Sequence, residues 1–148
     1  MKKVLLFIAI AIFGLTSCSS DDNNTDPRDK YVGNWESSTT GSLTLYHLGE
    51  AVGTVPINET GTTEVSKSGE NNLKIGDKIY TLNGNSLTSN PESVTQTQDG
   101  VNIVGTAIYS GQVSSEIIII NSDITGTWSN SHGATGNFSG TVVTTLTQ

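Results

Sequence analysis

The chain has 148 residues with 14 acidic against 7 basic side chains, a formal charge of −7, two histidines and a single cysteine. At this length one compact domain is the sensible count, and one cysteine excludes an intrachain disulfide. The acidic balance, with no Lys/Arg cluster, excludes nucleic acid, which needs its phosphates neutralised, and argues against docking on anionic lipid through the protein surface.

In chain order, Met1-Lys2-Lys3 precede an apolar run from Val4 to Leu15, then Thr16-Ser17-Cys18. A basic head, an apolar stretch of about 7–15 residues and small residues at the cut are the parts of a secretory signal. The run is shorter than the roughly 20 apolar residues that cross a membrane, so residues 1–17 are expected to be removed. Leu15-Thr16-Ser17-Cys18 resembles the lipobox of bacterial lipoproteins. That resemblance implies a diacylglycerol on the Cys18 sulfur, cleavage just before it and acylation of the new amino group. One acyl chain binds a membrane reversibly, whereas two or more anchor stably.

Residues 18–26 are polar and acidic and have nothing to bury, so they read as a tether. Eight extended residues reach roughly 26–29 Å. Acidic residues directly after the lipidated Cys resemble the surface-export signal of Bacteroidota lipoproteins, which implies the outer face of the outer membrane; the periplasmic face is the alternative. Loss of Lys2 and Lys3 leaves five basic against fourteen acidic residues, a formal charge of −9. The 18 serines and 21 threonines together outnumber the charged residues. Threonine favours strands, and hydroxyls suit their solvent face.

Residues 27–148 read as one all-β domain. Asp26-Pro27-Arg28-Asp29-Lys30 suits a single helical turn, with Asp26 as cap and Pro27 in the first position. Strands are then expected at Tyr31–Ser38, Gly41–Leu48, Ala51–Asn58, Thr62–Ser68, Asn72–Ile75, Lys78–Leu82, Ser86–Thr88, Glu92–Gln98, Val101–Ser110, Gln112–Asn121, Ile124–Ser129 and Gly136–Leu146. Leu43 and Leu45 alternate with Ser42, Thr44 and Tyr46, the period of a half-buried strand. Pro56 points to an edge or an irregular strand, and Asp99-Gly100 is a hairpin turn. About 8–10 short strands joined by tight turns imply an antiparallel meander, closed as a barrel or folded as a β-sandwich. In Ile117–Ile120 two isoleucines fall on each face. Either this is a central strand covered by the C-terminal segment, or Ile118 and Ile120 form a face for a partner.

Gly33-Asn34-Trp35 after a short helical turn resembles the Gly-x-Trp signature of the lipocalin and calycin barrels. The resemblance implies a calycin-like barrel in which Gly33 allows close packing and Trp35 plugs the closed end. A second copy, Gly126-Thr127-Trp128, lies near the C-terminus, and no arginine follows Lys78 to pack on the tryptophan as in that family. Asp26 to Gly33, with Asn85–Thr88 and the hairpin Asp99–Gly105, is similar to an entry and turn pattern of small, barrel-like Bacteroidota lipoproteins.

Chemistry is sparse. His47 shares a strand face with Leu43 and Leu45 and should be packed and hydrogen-bonded, while His132 falls in a loop. No Cys/His set has the spacing of a metal site, no Gly-x-Ser-x-Gly offers a serine nucleophile, and no Asp-x-Asp calcium loop is present. Gly133-Ala134-Thr135-Gly136 precedes a strand, not a phosphate-holding helix. The expectation is therefore a non-catalytic, membrane-anchored lipoprotein with no cofactor beyond the lipid on Cys18, binding a small apolar molecule or a partner protein. The alternatives are an acidic module that captures a basic protein and a structural assembly subunit.

Overall fold

Strands dominate because inward apolar residues alternate with outward hydroxyls over long stretches, and glycines that read as breaks instead let the strands run on. A computed structural model describes residues 26–148, apart from Asp99 and the side chain of Gln98. Residues 1–25, with the expected signal, Cys18 and most of the expected tether, lie outside it. After a 3-10 turn at Asp29–Tyr31 come nine strands: β1 Gly33–His47, β2 Glu50–Ser68, β3 Asn72–Ile75, β4 Lys78–Asn83, β5 Ser86–Thr88, β6 Glu92–Gln98, β7 Val101–Val113, β8 Ile117–Asn130 and β9 Thr135–Thr147. All their pairings are antiparallel. The fold is all-β, as expected.

Several expected boundaries are not there. Gly41 and Glu59-Thr60-Gly61 are internal to β1 and β2. Ser110-Gly111 is part of β7, and the turn into β8 comes instead at Ser114–Glu116, where the Ser114 hydroxyl accepts from the Ile117 amide at 3.1 Å. The stretch from Asn121 to Ile124 is continuous strand. The reason is close approach. A Cβ at Gly41 would meet the Thr141 carbonyl and lie 2.7 Å from the Val142 Cα, and one at Gly111 would lie 2.5 Å from the Ile119 carbonyl oxygen. Glycine inside a strand often marks such an approach.

The sheet closes on itself. β1 pairs with β2, then β3, β4 and β5 follow, β5 pairs with β7, and β8 and β9 lead back to β1. That is a hydrogen-bonded ring of eight strands. β6 stands outside it and continues the line of β5: β5 pairs with Ser110–Gln112 of β7, and β6 with Val101–Ala107. The β3–β4 hairpin is short, whereas β1, β2, β7, β8 and β9 have 13 to 19 residues. The ring is therefore closed in its lower half, and above the hairpin the sheet is open between β2 and β6. At about 3.3 Å per residue, β1 alone runs roughly 50 Å.

Two apolar clusters fill the inner face. In the lower half Tyr31, Trp35, Val65, Leu73, Ile75, Tyr80, Leu87, Val113, Ile118, Ile120 and Leu146 pack together. An eight-stranded ring is just wide enough for side chains to fill. In the upper half Leu43, Trp128 and Phe138 are buried, with Leu45, Ile57, Val101, Ile103, Ile124 and Ala134 only partly covered. Glycines seat the large residues here. Sites for a Cβ at Gly105 and Gly126 lie 2.8 and 2.7 Å from the Phe138 ring, and one at Gly140 lies 2.9 Å from Leu43. Both clusters draw only on residues after Asp26, so this segment carries its own core.

Candidate functional site

The site residues expected from sequence fall in three places. Cys18 lies outside the described residues. Trp35 is fully buried in the lower cluster, and its indole N–H donates to the Tyr31 carbonyl at 2.9 Å. Gly33 opens β1 with φ 146°, and a Cβ there would be 3.8 Å from the Gln148 amide. Ile118 and Ile120 are interior, 0% and 3% exposed, within the same cluster as Trp35. They therefore present no surface to a partner, and the outward pair is Ile117 and Ile119. The reason is parity: Ile118 opposes Leu146 on β9 and Val113 on β7, both buried.

The second Gly-x-Trp is as structural as the first. Trp128 is buried in the upper cluster and donates its indole N–H to the Tyr46 carbonyl at 3.1 Å. The two tryptophans thus lie toward opposite ends of one inner face. His47 tilts against Trp128, with ring centroids 6.3 Å apart, and its Nδ1 lies 2.6 Å from the Thr135 carbonyl oxygen. His132 is exposed in the β8–β9 loop.

At the lower end, Asp26 begins the described chain within a clamp. Its carboxylate accepts from the Arg28 backbone amide at 2.9 Å and from the guanidinium at 2.7 to 3.2 Å. This local turn replaces the expected helix cap, since the Asp26 side chain bonds two residues on. Arg28 also donates to the Gly69 and Asn72 carbonyls, and Lys67 pairs with Asp26 and Asp29. The hydrogen bonds from Arg28 hold the Asp26 carboxyl well below the usual carboxylate range. A depressed carboxyl stabilises the fold above its unfolded value, so the clamp holds at neutral pH and weakens as pH falls below the ordinary carboxylate range. A groove of about 580 Å³ lined by Arg28, Tyr31, Glu70 and Leu82 lies beside it.

The inner face of the upper half is the stronger candidate. It is bounded by two strand edges. β2 pairs with β3 only from Val65 to Ser68, so its outer edge is free from Glu50 to about Thr63. β6 pairs only with β7. Between them, register places Leu43, Gly140, Ile124, Ala107 and Glu92 in one row, and Leu45, Phe138, Gly126, Gly105 and Val94 in the next. Ile57 and Tyr109 lie one row below, at either flank.

A polar group marks the lower lip of this opening. Lys78 shares parity on β4 with buried Tyr80, so it faces inward. Its ammonium pairs with Glu92 of β6 and sits 4.8 Å from the Tyr109 ring centroid. Tyr109 in turn meets Tyr80 edge-on at 6.2 Å. Burial pulls the Lys78 ammonium down, but hydrogen bonds to Glu92 and Tyr109 more than offset it, and the net shift is upward. Burial pushes the Tyr80 phenol up to about 12. A groove of about 490 Å³ is lined by Thr81, Thr88, Ser89 and Asn90 together with Lys78 and Glu92. Sequence reading passed over this group. Its signal was the alternation Lys78-Ile79-Tyr80-Thr81-Leu82, where a lysine shares parity with two large hydrophobics.

No family model and no curated protein matches this chain. Among the described residues no group of three or more His, Cys, Asp or Glu could hold a metal ion, and no helix is long and apolar enough to cross a membrane. The site therefore offers an apolar surface with a polar lip. This is the usual make-up of a small-molecule site.

Proposed function

We propose that this chain is a non-catalytic, lipid-anchored protein of the outer membrane that binds an apolar or amphipathic small molecule on the inner face of its open upper half. One observation carries the reading. The partly covered residues Leu45, Ile57, Val101, Ile103 and Ile124 lie between two strand edges, and the longer edge is defended against other strands. Pro56 removes a donor from the free stretch of β2, the register shift at Leu45/Tyr46 leaves Val52 bulged, and Glu59 sits at an inward position. Proline, bulges and inward charges are how edges avoid strand addition. The lower half is filled with side chains, which leaves the upper half for a ligand.

The test uses residues 18–148 with Cys18→Ser and the neutral dye phenylnaphthylamine, whose emission rises in apolar surroundings. Ile57→Glu is expected to weaken dye binding about tenfold or more, because a carboxylate would have to be desolvated beside the ligand. Val104→Glu, on the outer face at 55% exposure, should leave it unchanged. Absence of any dye response would end the proposal.

The anchor has its own test. The Asp26–Arg28–Lys67 clamp starts the described chain at the closed end, so a tether from Cys18 would join the domain there. Cys18→Ala is expected to move the chain from the membrane to the soluble or inner-membrane precursor fraction, and unchanged outer-membrane fractionation would overturn the anchor. A second reading, capture of a basic protein, draws on the charge split: no Lys or Arg follows Lys78, and Glu50, Glu59, Glu92 and Asp123 supply charge to the upper half. It requires binding that fades as salt screens those charges.

A further inference from the structure

We infer that Lys78 is the headgroup site for a long-chain monocarboxylate, and that the Glu92 side chain occupies this place in the unliganded protein. The inference rests on the upper face being the ligand site. An inward-facing lysine in a lean β-core is expensive unless its charge is met, and here the charge is met by a carboxylate from a neighbouring strand. Lys78 and Glu92 are joined across the lower corner of the opening, between β4 and a strand held only by β7.

A ligand carboxylate could take over the same bond. The pair is partly solvated, with side chains 29% and 39% exposed. A pair so solvated is weakly held, and the displaced Glu92 carboxylate has water on one side. The groove that the pair helps to line lets a head reach it from solvent. From there a chain can lie upward along the inner face. Glu92 shares its row with Ala107, Ile124 and Leu43, and Ile103 and Trp128 stand two rows higher. Two rows are four residues of strand, roughly 13 Å of apolar floor. Tyr109, already stacked beneath the Lys78 ammonium, keeps the amine aimed into the opening when Glu92 leaves.

Other groups are less open to a ligand. The charges of the entry clamp are saturated by each other and by the Gly69 and Asn72 carbonyls. The outward Ile117–Ile119 pair carries no polar group that would orient a partner.

Oleate and oleyl alcohol, displacing phenylnaphthylamine from residues 18–148 with Cys18→Ser, separate the head from the tail. Oleate is expected to displace the dye at about tenfold lower concentration than the alcohol, the worth of one charge-assisted contact. Lys78→Met should remove that preference while leaving alcohol binding in place. Glu92→Gln should strengthen oleate binding several-fold, because the resident competitor loses its charge, and leave the alcohol unchanged. Equal displacement by oleate and alcohol in the parent protein, or an unchanged preference in Lys78→Met, would overturn the headgroup assignment while leaving the apolar site standing. If the dye itself is not bound, the site and the headgroup fall together.

Discussion

Gly126→Val is expected to cost about 3 kcal/mol or more of stability, at the severe end for a single substitution. A Cβ at Gly126 would meet the Val104 carbonyl and lie 2.5 Å from the Gly105 Cα and 2.7 Å from the Phe138 Cε1. Two of these three neighbours are backbone, so relief requires lifting β8 away from β7, and the third is the largest side chain wholly within the upper cluster's buried core after Trp128. Phe138 has no other seat, because Gly105 lies beneath the same ring. Gly53 is the control. It lies in β2 with nothing within 4 Å of a would-be Cβ, and Gly53→Ala should stay within about 0.5 kcal/mol. Urea unfolding of residues 18–148 with Cys18→Ser reads both. Equal midpoints for the two variants would mean that the glycine row is not what lets the upper sheet coil.

That glycine row also explains which parts of the fold could be read in advance. Turns with positive φ were legible: Gly76, Gly84 and Gly100 all have φ between 61° and 77° and all sit where a hairpin was expected. The strand cores were legible too, because Leu43, Leu73, Leu87 and Phe138 fall on one parity and the hydroxyls on the other. What failed was the inference from glycine to chain reversal. Gly41 and Gly111 look like Gly76 in sequence, yet they lie inside strands, and the information that separates them is a carbonyl of the neighbouring strand, up to a hundred residues away. Local pattern cannot hold that distance. The result was long strands read in shorter pieces, with β1 and β2 each expected as two.

The candidate site was legible in a similar, partial way. The alternation of β1 pointed to an apolar inner face, and Pro56 pointed to an edge. The group at the lip was not visible, because Lys78, Glu92 and Tyr109 come from three strands brought together only by the β5–β7 closure and the β6–β7 hairpin. Ile117–Ile120 posed the opposite problem. Its composition drew attention to a surface, whereas its ladder to β7 and β9 turns Ile118 and Ile120 inward beside Trp35. The strands divide accordingly: the lower half holds the larger buried cluster and the start of the described chain at Asp26, and the upper half leaves much of its apolar inner face only partly covered.

If that division is right, the two tryptophans should differ in what their loss does. Trp35→Ala is expected to cost about 3–5 kcal/mol, the range for truncating a large buried aromatic, out of a total that for a domain of this size is about 5–15 kcal/mol. Trp35 is wholly buried, touches the lower cluster that closes the ring, and takes with it the donor to the Tyr31 carbonyl. Trp35→Phe keeps much of the packing and isolates that hydrogen bond, so its cost should be about 1–3 kcal/mol. Trp128→Ala should cost less than Trp35→Ala, because most of its neighbours in the upper cluster are only partly covered, and it should disturb dye binding where Trp35→Phe does not. Urea midpoints together with the dye titration separate the outcomes. A Trp128→Ala loss larger than that of Trp35→Ala would place the stability of the molecule in its open half, and the accessible face would then be a core that cannot yield to a ligand.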